Sequence, residues 1–188
     1  MLIYNPKAGR GTSVKFAREA VAMFREHGIT LEPRHLQFGV NPFEDALDTE
    51  LVVVCGGDGS INYVVNCMRS AGINPTLGIV PMGTANDLAN ALDISHAPSV
   101  ALRRILEGEV HNIDCCKVNG RYFVNILSFG IFTSASQRAS REAKRQLGIL
   151  AYIKPGIDDV KDMRSIKVEI KTDREEYEGN IYMFLAMA

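Results

Sequence analysis

Residues 51–62, LVVVCGGDGSIN, constrain the fold of this 188-residue chain more than any other stretch. Five apolar residues, most of them β-branched, predict a strand that is buried on both faces. After the glycine-rich turn, apolar residues recur at helical spacing, at Ile61, Val64, Val65 and Met68, and predict a helix. The segment therefore specifies a strand, a turn with little side-chain cover, and a helix.

The chemistry of this turn favours phosphate. Gly56, Gly57 and Gly59 leave the peptide N–H groups accessible to an anion, and the start of the helix adds partial positive charge. Asp58 is a carboxylate inside the same turn, and it repels phosphate unless a metal ion or a proton transfer gives it a role. The alternative is a plain strand-to-helix turn in which Asp58 bonds its own backbone.

Two further strand ends carry loops of the same kind. The apolar residues 77–80 lead into PMGTANDLA, where Thr84 or Asn86 could cap the next helix and Asp87 could either close that helix start or join the site. Residues 2–4 lead into NPKAGRGT at the start of the chain. Parallel strands place such loops at one carboxyl edge, where open α/β sheets bind ligands. The three loops together predict a phosphate-binding site.

Composition excludes several other classes of protein. A formal net charge of -1 gives no reason to expect a nucleic-acid partner. The four cysteines lack C-x-x-C spacing and the four histidines are scattered, which argues against disulfides and against zinc. The chain carries neither a signal peptide nor an apolar run of transmembrane length. These features predict a cytoplasmic protein with reduced cysteines.

The order of elements predicts two domains. In the first part of the chain, helices alternate with the strands described above. The helices are predicted at 14–24, 42–47, 86–92 and 99–106, and an edge strand is predicted within 29–38. This alternation predicts a three-layer parallel-sheet α/β domain over residues 1–112. Residues 113–188 predict an antiparallel β domain. Strand-like runs at 110–118 and 122–127 flank the turn pair Asn119-Gly120, a helical stretch covers 134–163, and a second hairpin covers 165–187. We expect this domain to be incomplete after Ala188, and a short leader to be missing before Met1.

Three motifs resemble the nucleotide motifs of the diacylglycerol kinase catalytic-domain family. They are GGDGS followed by IN and VVN, then PMGTANDLA, and NPKAGRG. The similarity continues through RYFVN at 121–125, FGIFT at 129–133 and LGILAY at 147–152, so it covers nearly the whole chain. It is strongest to the bacterial lipid kinase branch, which is related to sphingosine kinases and more remotely to NAD kinases. The pattern GxxxxGK[ST] is absent, so the chain is not a P-loop enzyme.

The resemblance implies ATP and Mg²⁺ as ligands, with Asp58 as the catalytic residue or as a magnesium ligand through water. It assigns nucleotide contacts to Asn5, Pro6, Lys7, Ala8, Gly9, Gln37, Gly56, Gly57, Asp58, Gly59, Ser60, Ile61, Asn62, Tyr63, Gly83, Thr84 and Asn86. Relatives usually have threonine at the position of Ser60, and glutamate at that of Tyr63. Further metal ligands and catalytic carboxylates are expected beyond Ala188.

The resemblance also implies a function. We expect an ATP-dependent lipid kinase that phosphorylates diacylglycerol or a similar lipid at the inner membrane surface, as a peripheral protein. Alternatives are a kinase for a soluble hydroxyl, in the manner of NAD kinase, and a nucleotide-binding regulatory module without turnover. Basic residues at 138, 141, 144 and 145 form either a membrane-facing or a solvated helix face. An open apolar last strand predicts a homodimer through edge pairing.

Overall fold

The computed structural model describes residues 1–130 and 165–188. The chain divides into two compact units, one comprising Met1–Asn125 with Ala188, the other Ile126–Met187. The predicted helical stretch at 134–163, with its basic residues, lies outside the described residues. The predicted domain boundary at residue 112 stays a prediction, and the first compact unit extends beyond it.

The first unit is built around a parallel sheet. Its four strands are β1 (Leu2–Tyr4), β2 (Pro33–His35), β3 (Leu51–Gly56) and β4 (Thr76–Pro81), and they lie side by side in the order β2-β1-β3-β4. The helices between and after them are α1 (Ser13–Glu26), α2 (Asp58–Ser70), α3 (Asp87–Ala91) and α4 (Pro98–Glu107), with a short 3₁₀ turn at Ala8–Gly11. The predicted α/β fold is confirmed.

The central strand β3 is buried on both of its faces. Val52 and Val54 pack in one apolar cluster with α2, through Ile61 and Val64 among others. Val53 and Cys55 alternate to the other side and pack in a second cluster, whose helical members are Ala17, Ala20 and Phe24 of α1 and Ala101 and Leu102 of α4. Since successive side chains of a strand point to opposite faces, the sheet is a middle layer between helices.

The stretch after β2 differs from its prediction. The helix expected at 42–47 is wrong, because these residues form turns. The N–H of Ala46 donates to the carbonyl of Phe43 at 3.2 Å and that of Thr49 to the carbonyl of Ala46 at 3.4 Å, which are the bonds of successive turns. Asn41 fixes the start of this segment: its Oδ1 accepts the N–H of Phe43 at 3.0 Å, and its Nδ2 donates to the carbonyl of Cys67 at 3.2 Å. Phe43 is fully buried and joins the α2 cluster.

The hairpin predicted at Asn119-Gly120 is present, between β5 (Cys116–Val118) and β6 (Arg121–Phe123). Both turn residues have positive φ, 47° and 80°, as a two-residue hairpin turn requires. The strands are shorter than predicted, however. Residues 110–115 form no strand, and the run expected at 122–127 is divided at Asn125, whose φ is 75°.

The second unit contains two antiparallel pairs: the hairpin at 166–181 corresponds to the predicted second hairpin, whereas the pairing of 126–130 with 183–187 differs from the predicted hairpins. Strand β7 (Ile126–Gly130) pairs with β10 (Met183–Met187), and β8 (Ile166–Lys171) pairs with β9 (Glu176–Ile181). The single strand expected at 177–187 is therefore two strands that belong to different sheets. Among the described residues of the whole chain, none of the helices is both long enough and apolar enough to span a membrane.

Candidate functional site

The three loops predicted to bind a nucleotide are joined by backbone hydrogen bonds. The N–H of Asn5, after β1, donates to the carbonyl of Cys55 at 3.1 Å. The N–H of Met82, after β4, donates to the carbonyl of Gly56 at 2.8 Å, and the carbonyl of Met82 accepts the N–H of Gly9 at 3.0 Å. The carboxyl edge of the sheet therefore carries one connected surface of loop backbone.

The glycines of these loops serve different purposes. A Cβ atom on Gly57 would lie 2.8 Å from the Cα of Gly83, and a Cβ on Gly83 would lie 2.6 Å from the Cα of Gly57. These two glycines therefore allow the turns after β3 and β4 to touch through their backbones. A Cβ on Gly59, in contrast, would meet nothing within 4 Å. Gly59 is the glycine of this turn that borders open space.

The side chain of Ser60 is directed inwards. It is 4% exposed, and its Oγ accepts a hydrogen bond from Nδ2 of Asn5 at 3.2 Å. The Oδ1 of Asn5 accepts the N–H of Lys7 at 3.0 Å, and its carbonyl accepts the hydroxyl of Ser13 at 2.7 Å. Both polar side chains thus order the turns themselves, which leaves mainly backbone groups to meet a phosphate.

Asn86 closes the turn after β4. Its backbone is left-handed, with φ 53° and ψ 47°, and its side chain is 3% exposed. The Oδ1 accepts the N–H of Gly83 at 2.8 Å and the Nδ2 donates to the carbonyl of Gly83 at 3.2 Å. Asn86 stands at the N-cap position of α3 but makes no capping bond there, and Thr84 is exposed. The predicted capping by one of these two residues is therefore wrong.

The cap of α3 comes from Asp58 instead. Asp58 is the first residue of α2, and its Oδ1 accepts the N–H of Leu88, in the first turn of α3, at 3.1 Å. Asp87 begins α3. Burial, and then the negative charge of Asp58, raise the pKa of Asp87 above its usual value. The structure thus brings a second carboxylate towards Asp58, which the sequence had left as an open alternative.

Tyr63 attaches the loop after β2 to α2. Its Oη accepts the N–H of Gly39 at 2.7 Å and donates to the carbonyl of Val40 at 2.9 Å. Its ring meets that of Phe38 edge to face, with centroids 4.9 Å apart and an interplanar angle of 71°. Burial raises the pKa of the Tyr63 phenol, so the hydroxyl stays a donor. Gln37 is exposed in the same loop, and its amide nitrogen contacts a ring nitrogen of His35.

The remaining predicted contacts lie at different depths. Pro6, Lys7 and Asn62 are exposed, and Ala8 and Gly9 are half-buried in the 3₁₀ turn. Ile61 is 1% exposed and packs in the core, so its side chain is not at the surface of the site. Elsewhere, a groove of about 350 Å³ between α1 and strands β1 and β2 has none of the predicted nucleotide residues in its lining.

Comparison with known proteins identifies the family. The model of the diacylglycerol kinase catalytic domain matches residues 1–118, which contain all three loops. The chain belongs to the diacylglycerol kinase catalytic-domain family. The resemblance of the motifs is thereby confirmed.

Relatives in this family are similar over almost the whole chain. The diacylglycerol kinase of Bacillus subtilis (strain 168) is 33% identical, with 98% of this chain and 63% of the relative covered. That of Staphylococcus carnosus (strain TM300) is 30% identical, with 98% and 62% covered. A crystal structure of a diacylglycerol kinase from Bacillus anthracis str. Sterne matches with a TM-score of 0.69 and 27% identity, over 98% of this chain and 62% of that one. The chain thus spans about three fifths of the length of these relatives.

Proposed function

We propose that this chain carries the nucleotide-binding part of an ATP-dependent lipid kinase, which transfers the γ-phosphoryl group of ATP to a hydroxyl of diacylglycerol or a similar lipid. The observation that carries the proposal is the meeting of three phosphate-type loops at one sheet edge, with Asp58 and Asp87 beside them. The relatives named above are diacylglycerol kinases, which supports the lipid acceptor. In this proposal residues 1–112 bind the nucleotide and residues from 113 onwards begin the acceptor domain.

The first turn of α2 has the properties that a phosphate needs. The N–H groups of Ser60 and Ile61 already donate to the carbonyl of Gly57, at 2.9 and 3.1 Å. Those of Asp58 and Gly59 lie at the positive end of the helix, where no intrahelical acceptor is available. Because Gly59 borders open space, a phosphate oxygen can approach this backbone closely. Lys7, exposed in the neighbouring loop, adds a cation.

The carboxylates fit the magnesium ion that such a reaction uses. The described residues contain no cluster of three or more metal-binding side chains, but Mg²⁺ bound with a nucleotide needs one or two carboxylates, since phosphates and waters complete its shell. Asp87 would supply one directly, and Asp58, whose Oδ2 is not used in the bond to Leu88, would reach the ion through a water molecule. When bound, the ion neutralises charge on the phosphate groups.

The chemical step requires a hydroxyl oxygen to bond to the γ-phosphorus while the bond from that phosphorus to the leaving oxygen of ADP breaks. We assign to Asp58 the acceptance of the hydroxyl proton. Its carboxylate is oriented by the N–H of Leu88, and an oriented base reacts without first losing rotational freedom. Since diacylglycerol resides in a bilayer, the proposal includes peripheral contact with the inner membrane surface.

One assay separates this function from its alternatives. Full-length protein is given ATP and Mg²⁺, and ADP release is measured with diacylglycerol in mixed micelles, with NAD as a soluble acceptor, and without acceptor. The lipid kinase predicts ADP release that depends on the micelles and a lipid product labelled from γ-³²P-ATP. Turnover with NAD alone would support a soluble-substrate kinase. Binding of ATP without turnover under any condition would support a regulatory module.

A further inference from the structure

The loop after β2, residues 37–40, lies at the same edge of the sheet as the phosphate loops. Strand β2 runs parallel to β1, with His35 opposite Tyr4, and β1 in turn pairs with β3. Neighbouring strands are about 4.8 Å apart, so the end of β2 lies about 10 Å from the end of β3. The loop is therefore near the glycine turn but separate from it.

This loop runs along α2 in a fixed direction. Gly39 and Val40 are bonded to the hydroxyl of Tyr63, and Asn41 is bonded to the carbonyl of Cys67, one turn further along the helix. The loop thus enters beside the first half of α2 and proceeds towards its carboxyl end. Tyr63 follows Gly59 by four residues and shares its face of the helix, with a rise of about 6 Å between them. A ligand anchored at Gly59 has Tyr63 as its neighbour.

Phe38 occupies an unusual position in this loop. Its side chain is 63% exposed although it is large and apolar. The ring of Tyr63 contacts it, and the residue that follows it, Gly39, is bonded to the hydroxyl of the same tyrosine. Within the part of the chain that the structure describes, an aromatic surface is thus held in place and left uncovered.

We propose that Phe38 is the stacking platform for the purine base of the nucleotide, and that Tyr63 is the positioning residue that holds this platform. The proposal rests on the proposed function, since it needs a nucleoside triphosphate whose phosphates lie at Gly59. From that anchor the ribose and base extend past Tyr63, and a flat base gains most from an exposed aromatic ring.

The test compares affinities for ligands that share phosphates but differ in the base. Binding of ATP, UTP and inorganic tripolyphosphate, each with Mg²⁺, is measured by calorimetry on the full chain. In Phe38→Ala, affinity for ATP should fall by at least about fivefold, since stacking on an aromatic side chain contributes that much or more per base. Affinity for tripolyphosphate should change less than about twofold. The preference of the wild-type protein for ATP over UTP should shrink, and Phe38→Trp should restore ATP binding.

Two further variants complete the test. Tyr63→Phe removes both hydrogen bonds to the loop and should weaken the binding of ATP but not that of tripolyphosphate. Leu47→Ala shortens another exposed side chain, 58% exposed against 63% for Phe38, and should change neither affinity. Wild-type ATP affinity in Phe38→Ala overturns the platform. A loss of tripolyphosphate affinity as large as the loss of ATP affinity also overturns it, because the substitution would then act on the phosphate turn and not on the base. If the wild-type protein binds tripolyphosphate and ATP equally, the platform is refuted while the phosphate site stands. If it binds neither, the proposed function itself has failed.

Discussion

The backbone N–H of Leu88 donates to Oδ1 of Asp58 across 3.1 Å, so the carboxylate that opens α2 also caps α3. Two substitutions of Asp58 should therefore separate its effect on catalysis from its effect on stability. Asp58→Asn keeps an oxygen acceptor for Leu88 and should leave the free energy of unfolding nearly unchanged, apart from a small gain from removing the charge beside Asp87. It should lower phosphoryl transfer by at least about a hundredfold, as the loss of a general base does.

Asp58→Ala removes the cap as well and should lower the free energy of unfolding by about 1 kcal/mol. Urea denaturation of both variants and a lipid kinase assay on full-length protein measure the two effects. Asp48→Asn, which changes an exposed carboxylate outside the loops, serves as the control. Undiminished turnover in Asp58→Asn would exclude the assigned role.

Substitutions at Gly57 and Gly59 should act through different causes. Gly57 has φ −101° and ψ −176°, which any residue adopts, but its Cβ would collide with Gly83. Gly57→Val should therefore lower the free energy of unfolding by about 1–3 kcal/mol through overpacking, and lose ATP binding because the turns separate.

Gly59→Ala should leave stability equal or up to about 1 kcal/mol higher, because alanine favours the helix. ATP affinity should nevertheless fall about tenfold or more, since the new methyl group occupies the space assigned to phosphate. Calorimetry with ATP and urea denaturation report the two quantities, and Ser70→Ala, at an exposed position at the other end of the same helix, is the control. ATP binding at wild-type strength in Gly59→Ala would place the phosphates elsewhere.

Asp87→Asn should raise stability in a pH-dependent way. Burial and the charge of Asp58 raise the pKa of Asp87 in the folded protein. Ionised Asp87 therefore costs stability above its folded pKa, and this cost disappears below its unfolded pKa, about 3.9. Because the Asp87 side chain is exposed, solvent screens the charge and the cost is small. Denaturation curves at pH 7 and near pH 3.5 should show a stabilised variant at pH 7 and little difference at the lower pH. In an Asp58→Asn background the gain at pH 7 should be smaller but present, because burial is the larger cause. A gain that is independent of pH would contradict this account.

Replacements of Asn86 should distinguish backbone conformation from side-chain bonding. Asn86→Gly accepts φ 53° without strain and loses the two bonds to Gly83. Asn86→Ala loses the same bonds and adds about 1–2 kcal/mol for the left-handed backbone. We expect both variants to unfold at lower urea concentrations than wild type. The alanine variant should have the lower free energy of unfolding, by the cost of the left-handed backbone. Equal stability of the two would mean that the turn changes conformation when the amide is removed.

The rate at which each cysteine reacts with iodoacetamide should follow its exposure to solvent. Cys55 is fully buried, and burial raises the pKa of its thiol to about 12, so the thiolate that reacts with iodoacetamide is strongly disfavoured. Cys67 is 8% exposed, while Cys115 and Cys116 are half-buried. Mass spectrometry of native protein after brief labelling should find modification at residues 115 and 116, and at 55 and 67 only in urea. Rapid native labelling of Cys55 would contradict the burial of β3.

The parallel α/β core and the position of the candidate site within it follow from local patterns of the sequence. Alternating apolar residues in a strand, glycines at its end and helical spacing after it are local patterns, and local patterns fix backbone conformation. The two-residue turn at Asn119-Gly120 was predictable for the same reason, since positive φ at both positions requires such residues. The motifs around Gly57, Gly83 and Asn5 further indicated the family, because their combination is specific.

Tertiary structure set the role of each side chain in the candidate site. Asp58 caps a helix thirty residues away, and Asn86 closes its own turn instead of capping. Position 57 has to be glycine because any Cβ there would collide with the backbone of Gly83. It also decided where strands end, because the runs at 122–127 and 177–187 exchange partners at Asn125 and after Ile181. Pairing and capping partners lie far apart along the chain, and a local pattern carries no information about which distant group will satisfy a given donor or acceptor.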